Sequence, residues 1–264
     1  MKISVICPTY NSSKFVLTTL ESVLKQIKMP DELIISDDGS TDDTVDVIEN
    51  YLKTHNKKLN YKIIKNAHQG PGAARNKGIL ASSGEWIAFI DSDDIWYENK
   101  IEEIEKVIRT DKKFNFICHD EILIKKNGHK YPLQYSLKYN SKMSLFDQLY
   151  NSNIFSTSAV VCKKKLLIEQ SLFDEDLMSA QDYDLWIKLA SKIKLFIINK
   201  PLGEYIERKG NITSKNIFRR YKNEIFIASK YRDRVPLLKY FKRIIYIQIS
   251  FLSQLLKKLI FQNG

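Results

Sequence analysis

The chain has 264 residues, 44% of them hydrophobic and 11% aromatic, so it is long and apolar enough to bury a sizeable core and is not a disordered or low-complexity polypeptide. Its cysteines, Cys7, Cys118 and Cys162, are scattered without Cys-x-x-Cys spacing, and its histidines have no metal-ligand spacing, which excludes a disulfide scaffold and a zinc finger. The formal charge is +11, of which +9 falls in residues 216–264, so the basic character belongs to the tail, and no nucleic-acid groove is expected in the body.

Met1 to Val5 leads straight into a strand pattern with no basic segment followed by a long apolar run, so no signal peptide and a cytoplasmic protein are expected. Ile3 to Cys7 reads as a buried strand, left by the loop Pro8-Thr9-Tyr10-Asn11-Ser12. A helix follows from about Ser13, with Phe15, Val16, Leu20, Val23 and Leu24 on one face. Glu32 to Ser36 is the second strand and runs into Asp37-Asp38-Gly39-Ser40-Thr41-Asp42, a turn in which Ser40 or Thr41 can cap the next helix. Tyr61 to Lys65 is the third strand, and Gly70-Pro71-Gly72 opens a helix carrying Arg75 and Asn76. That turn is not a Walker loop, because no Gly-Lys-Ser/Thr follows.

Trp86 to Ile90 is the fourth strand, and it stops at Asp91-Ser92-Asp93-Asp94. Three carboxylates in four residues at a strand end are more than a helix cap needs, although Asp93 or Asp94 could cap the helix of about Tyr97 to Arg109. Hard oxygen ligands so placed suit Mg²⁺ or Mn²⁺ shared with a phosphate. Strands alternating with helices at short spacing predict a mostly parallel sheet covered on both faces, with Pro8 to Asn11, Asp37-Asp38 and Asp91 to Asp94 converging on one rim. Further on, the pattern predicts a hairpin around Lys126-Asn127-Gly128, a helix over Met143 to Tyr150 and a strand over Thr157 to Cys162. A helix over Ala180 to Ala190 and strands near Leu195 to Asn199 and Gly203 to Glu207 follow.

Five segments in order, Ser4-Val5-Ile6-Cys7-Pro8-Thr9-Tyr10-Asn11, Ser36 to Asp42, Gly72-Ala73-Ala74-Arg75-Asn76-Lys77-Gly78, Asp91 to Asp94 and Gln181-Asp182-Tyr183-Asp184-Leu185-Trp186, resemble inverting glycosyltransferases of family 2. The match runs over roughly residues 3–210. The resemblance implies an α/β, Rossmann-like nucleotide-sugar fold of the A type, a divalent cation (Mn²⁺ or Mg²⁺), and transfer with inversion from a nucleoside diphosphate sugar, most simply a UDP-sugar. Carried over by position, Pro8, Thr9 and Tyr10 would line the base and ribose pocket and Asp38 would accept from the base N3–H. Asp91 would reach the ribose beside Ser92, Asp93 the metal, Arg75 and Asn76 the nucleotide or its diphosphate, and Asp182 would be the catalytic base. Gln181 stands where many members have Glu, and the match fades after Leu202, leaving Arg208 in Arg208-Lys209-Gly210-Asn211 as a diphosphate or acceptor contact. Structural roles compete at several positions: Asp38 as turn former with Gly39, Arg75 paired with a surface acid, Asp182 as an N-cap and Asp184 as a solvated helix residue.

In the tail, Leu238, Phe241, Ile245, Ile249, Leu252, Leu256 and Leu259 recur at helical spacing, against a stripe of Lys239, Arg243, Tyr246, Ser250, Ser253 and Lys257. The uncharged run Ile244 to Leu256 has 13 residues, short of the roughly 20 that cross a bilayer. An interfacial helix on the anionic inner face of the cell membrane is therefore expected, with a packing or homodimer helix as the competing reading. The expected organisation is a nucleotide-sugar-binding half, residues 1–110, an acceptor-binding half, 111–215, and basic C-terminal helices, 216–264. The expected activity is sugar transfer to a hydroxyl of a bacterial surface glycan or lipid-linked acceptor. The alternatives are a sugar nucleotidyltransferase and a non-catalytic scaffold.

Overall fold

The computed structural model describes residues 1–56, 58–208 and 217–262, with side chains up to residue 256. Lys209, Gly210 and Asn211, and the side chains of Lys257, Lys258 and Leu259, lie outside the described residues. The first half is a run of alternating elements: β1 (Ile3–Thr9), α1 (Val16–Leu24), β2 (Glu32–Asp37), α2 (Thr44–His55), β3 (Asn60–Lys65), α3 (Pro71–Ala81) and β4 (Trp86–Phe89). Strands β2 and β4 flank β1 and β3 lies outside β2, all parallel, so the C-terminal ends of β1, β2 and β4 meet at one rim as the topology required.

The second half turns the sheet mixed. It contains β5 (Ile95–Trp96), α4 (Lys100–Thr110), β6 (Phe116–Ile124), β7 (Lys130–Leu133), α5 (Tyr135–Lys138) and α6 (Leu145–Asn151). After a 3₁₀ turn at Thr157–Ala159 come β8 (Val160–Lys163), α7 (Lys164–Glu169), α8 (Gln181–Leu189) and β9 (Leu195–Ile206). The sheet order is β3-β2-β1-β4-β8-β6-β9-β5, with β7 pairing on β6. Strand β8 runs antiparallel to both β4 and β6, whereas β6 and β9 are parallel. The sheet expected to be mostly parallel is so over β1 to β4 and again at β6–β9, with β8, β7 and β5 pairing antiparallel. The two strands expected between residues 195 and 207 are one, because register shifts near Asp120 let β9 carry Pro201 without ending.

Period-two alternation explains the two cores. Ile3, Val5 and Cys7 of β1 and Trp86, Ala88 and Ile90 at β4 face α1, α2 and α4, while Ile6, Ile87 and Phe89 face α3, α6 and α8. Buried on both faces, these strands read as continuous apolar runs.

The chain ends in two helices, α9 (Ile217–Lys230) and α10 (Leu237–Gln262), joined through a 3₁₀ turn at Arg232–Arg234. They dock on the body through Ile227 and Tyr231, which belong to the core of the α8 face, and the Tyr150 hydroxyl donates to the Ala228 carbonyl at 3.1 Å. Helix α10 meets α9 through Ile247, Ser250, Phe251 and Gln254, and Arg243 is buried against Glu224 at 3.2 Å. Its most apolar stripe, Leu238, Phe241, Ile245, Ile249, Leu252 and Leu256, is left exposed.

Candidate active site

The acidic loop after β4 is held by a set of buried bonds. The Asp94 amide donates to the Asp91 carbonyl at 3.0 Å, closing the turn. The Ser158 hydroxyl accepts from the Asp91 amide at 3.0 Å and donates to Asp94 Oδ2 at 2.5 Å, while Asp94 Oδ1 accepts from the Ile206 amide at 3.0 Å. Asp94 therefore caps no helix, since the N-cap of α4 is Asn99, and it ties the loop to β9. Beneath it Lys100 is fully buried, donating to the Ser158 carbonyl at 2.6 Å and standing 3.8 Å over the Trp96 ring. Burial pushes the Lys100 ammonium down to about 7.

With Asp94 facing inward, Asp91 and Asp93 remain partly open to solvent. Asp91 Oδ1 accepts from Arg75 Nη2 at 2.5 Å, and Arg75, 5% exposed, keeps a buried Nε that no described residue accepts from. Its partner is thus an acid of the loop and not a surface acid. Arg208 donates to the Asp93 carbonyl at 2.6 Å, lies 3.9 Å from Asp93 Oδ2 and stacks 3.8 Å over Phe15. Burial, with the neighbouring Asp91 charge second, raises the Asp93 carboxyl to about 6, and burial likewise holds Asp94 well above the usual carboxylate range.

At the ends of β1 and β2, Pro8 and Thr9 are buried, and the Thr9 hydroxyl donates to Asp37 Oδ1 at 2.8 Å. Tyr10 is exposed and stacks on His68, with ring centroids 4.2 Å apart. The Ser40 hydroxyl also bonds Asp37, so neither Ser40 nor Thr41 caps α2, whose N-cap is Asp43. Asp38 accepts from the Gln69 and Gly70 amides, each at 2.9 Å, and His68 Nδ1 lies 2.8 Å from Asp38 Oδ2 and 3.1 Å from the Asp38 carbonyl oxygen. A carboxylate has about four acceptor positions, of which the two amides take two. Ser92 bonds Ser12 at 2.9 Å, which joins the acidic loop to the loop after β1.

Asn76 departs from expectation. Its amide nitrogen donates to the Phe173 carbonyl at 2.9 Å and to Glu175 Oε1 at 2.8 Å, and its oxygen accepts from the Phe173 amide at 2.9 Å. It is 4% exposed and fastens α3 to residues 173–175, so all of its amide groups have protein partners.

Helix α8 carries Asp182 in its first turn. Its N-cap is Ala180, in the left-handed region at φ 60°, so Asp182 is inside the first turn and is not the cap. Asp182 Oδ2 accepts from the Asn153 amide at 3.0 Å. Its carboxyl is raised, first by burial, and the charges of Arg75 and Asp91 act on it in opposite senses, so it lies near both. Asp184 corrects another expectation: it is fully buried, accepting from the Tyr231 hydroxyl at 3.0 Å and from Lys230 at 2.9 Å. Sequence reasoning missed Ser158 and Asn153, a serine in a 3₁₀ turn and a loop asparagine that carry no motif.

Among the described residues no group of three or more His, Cys, Asp or Glu side chains could hold a metal ion by itself. Asp93 with Asp91 beside it does fit an ion that takes the rest of its oxygen ligands from a diphosphate, the usual arrangement for Mg²⁺ or Mn²⁺. The unpaired Arg75 Nε is a further donor suited to an anion.

The family model described as Glycosyl transferase family 2 matches residues 4–175. The GalNAc(5)-diNAcBac-PP-undecaprenol beta-1,3-glucosyltransferase of Campylobacter jejuni is 30% identical over 244 residues, covering 90% of this chain and 76% of that protein. The chain spans only 32–36% of the length of the glycosyltransferases of Rickettsia bellii, Rickettsia felis and Rickettsia conorii, to which it is 31–35% identical. Residues 1–349 of Staphylococcus aureus TarS superpose with a TM-score of 0.68 at 25% identity, over 95% of this chain and 72% of that one. The mannosyltransferase PcManGT of Pyrobaculum calidifontis, in complex with GDP-Man and Mn²⁺, has a TM-score of 0.69 at 19% identity, over 95% and 69% of the two chains. The fold is the A type of glycosyltransferases.

Carboxyls raised by folding stabilise the protein while they are protonated, and that contribution is lost as pH rises through their folded values. Asp93, titrating at about 6, should therefore contribute less to the stability of the metal-free protein at pH 7.5 than at pH 5.5, while the lowered Lys100 works in the opposite direction over the same range. Asp93→Asn should raise stability at pH 7.5 by roughly 1–2 kcal/mol, and by less at pH 5.5. Thermal unfolding of the two proteins followed by circular dichroism checks this; a melting-point gain from Asp93→Asn that is no larger at pH 7.5 than at pH 5.5 would contradict it.

Proposed function

We propose, from the premise that the chain belongs to glycosyl transferase family 2, that it moves a sugar with inversion from a nucleoside diphosphate sugar to an acceptor hydroxyl. The observation that carries this reading is the acidic loop paired with Arg75 at the ends of β1, β2 and β4, close enough to Asp182 for the Arg75 and Asp91 charges to act on its carboxyl. The nucleotide would lie over the ends of β1, β2 and β4. Tyr10, backed by His68, supplies a stacking face, Pro8 and Thr9 the pocket wall, and a remaining acceptor position of Asp38 meets the base. Asp91 and Ser92 face the ribose, and Arg75 and Arg208 receive the diphosphate, Arg208 being held over the loop by Phe15. A Mg²⁺ or Mn²⁺ ion held by Asp93, when bound, would neutralise charge on the leaving diphosphate.

The acceptor oxygen forms a bond to the anomeric carbon as the bond from that carbon to the diphosphate oxygen breaks, and the acceptor proton passes to Asp182. A carboxyl raised above its ordinary value is a better base near neutral pH, and Asn153 keeps one of its oxygens oriented. UDP-sugars are the first donors to test, since TarS residues 1–349 have been crystallised with UDP-GlcNAc. The named activity of the Campylobacter relative makes a polyprenyl diphosphate-linked glycan of a bacterial envelope the acceptor class to try.

The tail fits attachment to that membrane. Among the described residues no helix is long and apolar enough to cross a bilayer, while α10 exposes an apolar stripe that includes Leu238 and Ile245, with the exposed Lys242 between them in the sequence. Such a helix lies on an anionic leaflet with its apolar side in the acyl boundary. Removing the tail from Ala228 is a poor test of this, because Tyr231 and Lys230 reach into the body at Asp184.

Two experiments check the proposal. Nucleotide release from UDP-glucose, UDP-GlcNAc, UDP-GalNAc and GDP-mannose with Mn²⁺ should identify a donor. Asp93→Ala should abolish that release, and Asp182→Asn should lower it at least about 10²-fold while still binding nucleotide. Near-normal release by Asp182→Asn removes the base assignment, and pyrophosphate as product indicates a nucleotidyltransferase. In the second, Ile245→Glu with Ile249→Glu should prevent sedimentation with phosphatidylglycerol vesicles. Unchanged sedimentation, or loss of a wild-type dimer in analytical ultracentrifugation, would put α10 in another role.

A further inference from the structure

Asp184 lies two residues after the proposed base, on the inner side of α8, with 0% of its surface exposed. A carboxylate taken that far from water needs a cation and hydrogen bonds to remain charged. Lys230, the last residue of α9, supplies the cation at 2.9 Å, and the next residue, Tyr231, donates to both Asp184 Oδ1 at 3.0 Å and the Asp184 carbonyl at 3.1 Å. The same ammonium lies 2.7 Å from Asp174 Oδ2. Asp174 belongs to the segment that Asn76 grips through both polar groups of Phe173, and Asn76 follows Arg75 on α3.

One ammonium therefore stands between the helix that carries the base and the segment fastened to the helix that carries Arg75. We infer that Lys230 and Asp184 are positioning residues for the transfer reaction: their ion pair sets the distance and register of Asp182 against the donor site, and the C-terminal helices are part of the catalytic unit. The inference rests on Asp182 being the base. Neither Lys230 nor Asp184 is among the proposed donor-binding residues, so their effect must pass through the placement of α8. Asn223, which donates to the Ser179 carbonyl at 3.2 Å and to its hydroxyl at 2.5 Å, gives α9 a second grip just before the left-handed Ala180 that starts α8.

Small displacements of a catalytic group cost rate far more than they cost donor affinity, which is set at the ends of β1, β2 and β4. Lys230→Met should lower kcat for nucleotide release by about 10²-fold, because a shift on the order of 1 Å is enough to do so. Calorimetric affinity for UDP with Mn²⁺ should stay within about twofold of wild type, and Lys230→Arg should restore most of kcat. Should Lys230→Met not fold, the double variant Asp184→Asn with Lys230→Met removes both charges together and carries the same comparison. A folded variant with unchanged kcat, or one in which UDP affinity falls as far as kcat, overturns the inference and leaves the pair as packing. Asp182→Asn run beside them keeps the two readings apart. If Asp182→Asn is crippled and Lys230→Met is not, the positioning role alone fails; if Asp182→Asn turns over normally, the base reading fails first.

Discussion

Asp91, Asp93 and Asp94 crowd three carboxylates into a single turn at the end of β4, and the rest of the site is arranged around offsetting that charge. Each acid has a different answer. Asp91 has the Arg75 guanidinium, Asp94 has the Ser158 hydroxyl and the Ile206 amide, and Asp93 has Arg208 at a longer 3.9 Å. Asp93 is the least well compensated of the partly exposed pair, and burial with the Asp91 charge raises its carboxyl to about 6. A divalent cation with a diphosphate is the chemistry that would complete the balance. The loop is thus rigid on its inner side, where Asp94 and Ser158 bind it to β9, and incompletely neutralised on its outer side, where a donor would lie.

Much of this was legible in the sequence because it follows from local pattern. The apolar runs of β1, β2 and β4 sit on a twofold period and end in Pro8-Thr9, Asp37-Asp38 and Asp91-Ser92, so their helical connections fix the parallel order and hence the shared rim. The α8 stripe of Leu185, Trp186 and Leu189 is buried as its spacing predicted. What pattern does not carry is the partner of a polar group. Asn76 in a motif looks like a ligand contact until Phe173, nearly a hundred residues away, takes both ends of its amide. Asp184 looks like a solvated helix residue until α9 covers it with Lys230 and Tyr231. Ser158 and Asn153 matter only through distant partners. The mixed second half was hidden for a related reason, since the direction of β8 depends on how a loop enters through the 3₁₀ turn at Thr157–Ala159.

The tail is the clearest case in which periodicity and packing disagree. Helical spacing in α10 separates an apolar stripe from a mixed one, and a helix docking on a core would ordinarily bury the apolar side. Here the mixed side, with Arg243, Ser250 and Gln254, meets α9, and the apolar side faces outward. The Arg243–Glu224 pair and the Arg243 contact to the Tyr183 hydroxyl at 3.4 Å give that inner face its reason to be polar. The same helices that present an apolar surface outward therefore also hold α8 from within, so the exposed apolar stripe and the proposed base belong to connected elements.

The account stands on the acidic rim being completed by a metal–diphosphate. Calorimetric titration of UDP into the wild-type protein, with Mn²⁺ and then with chelator in its place, tests this most directly. The account predicts that UDP binds at least about tenfold more tightly with the metal, because Asp93 and Asp91 otherwise repel the diphosphate. Equal affinity in the two titrations would contradict it and leave the carboxylates of the β4 loop without the role assigned to them.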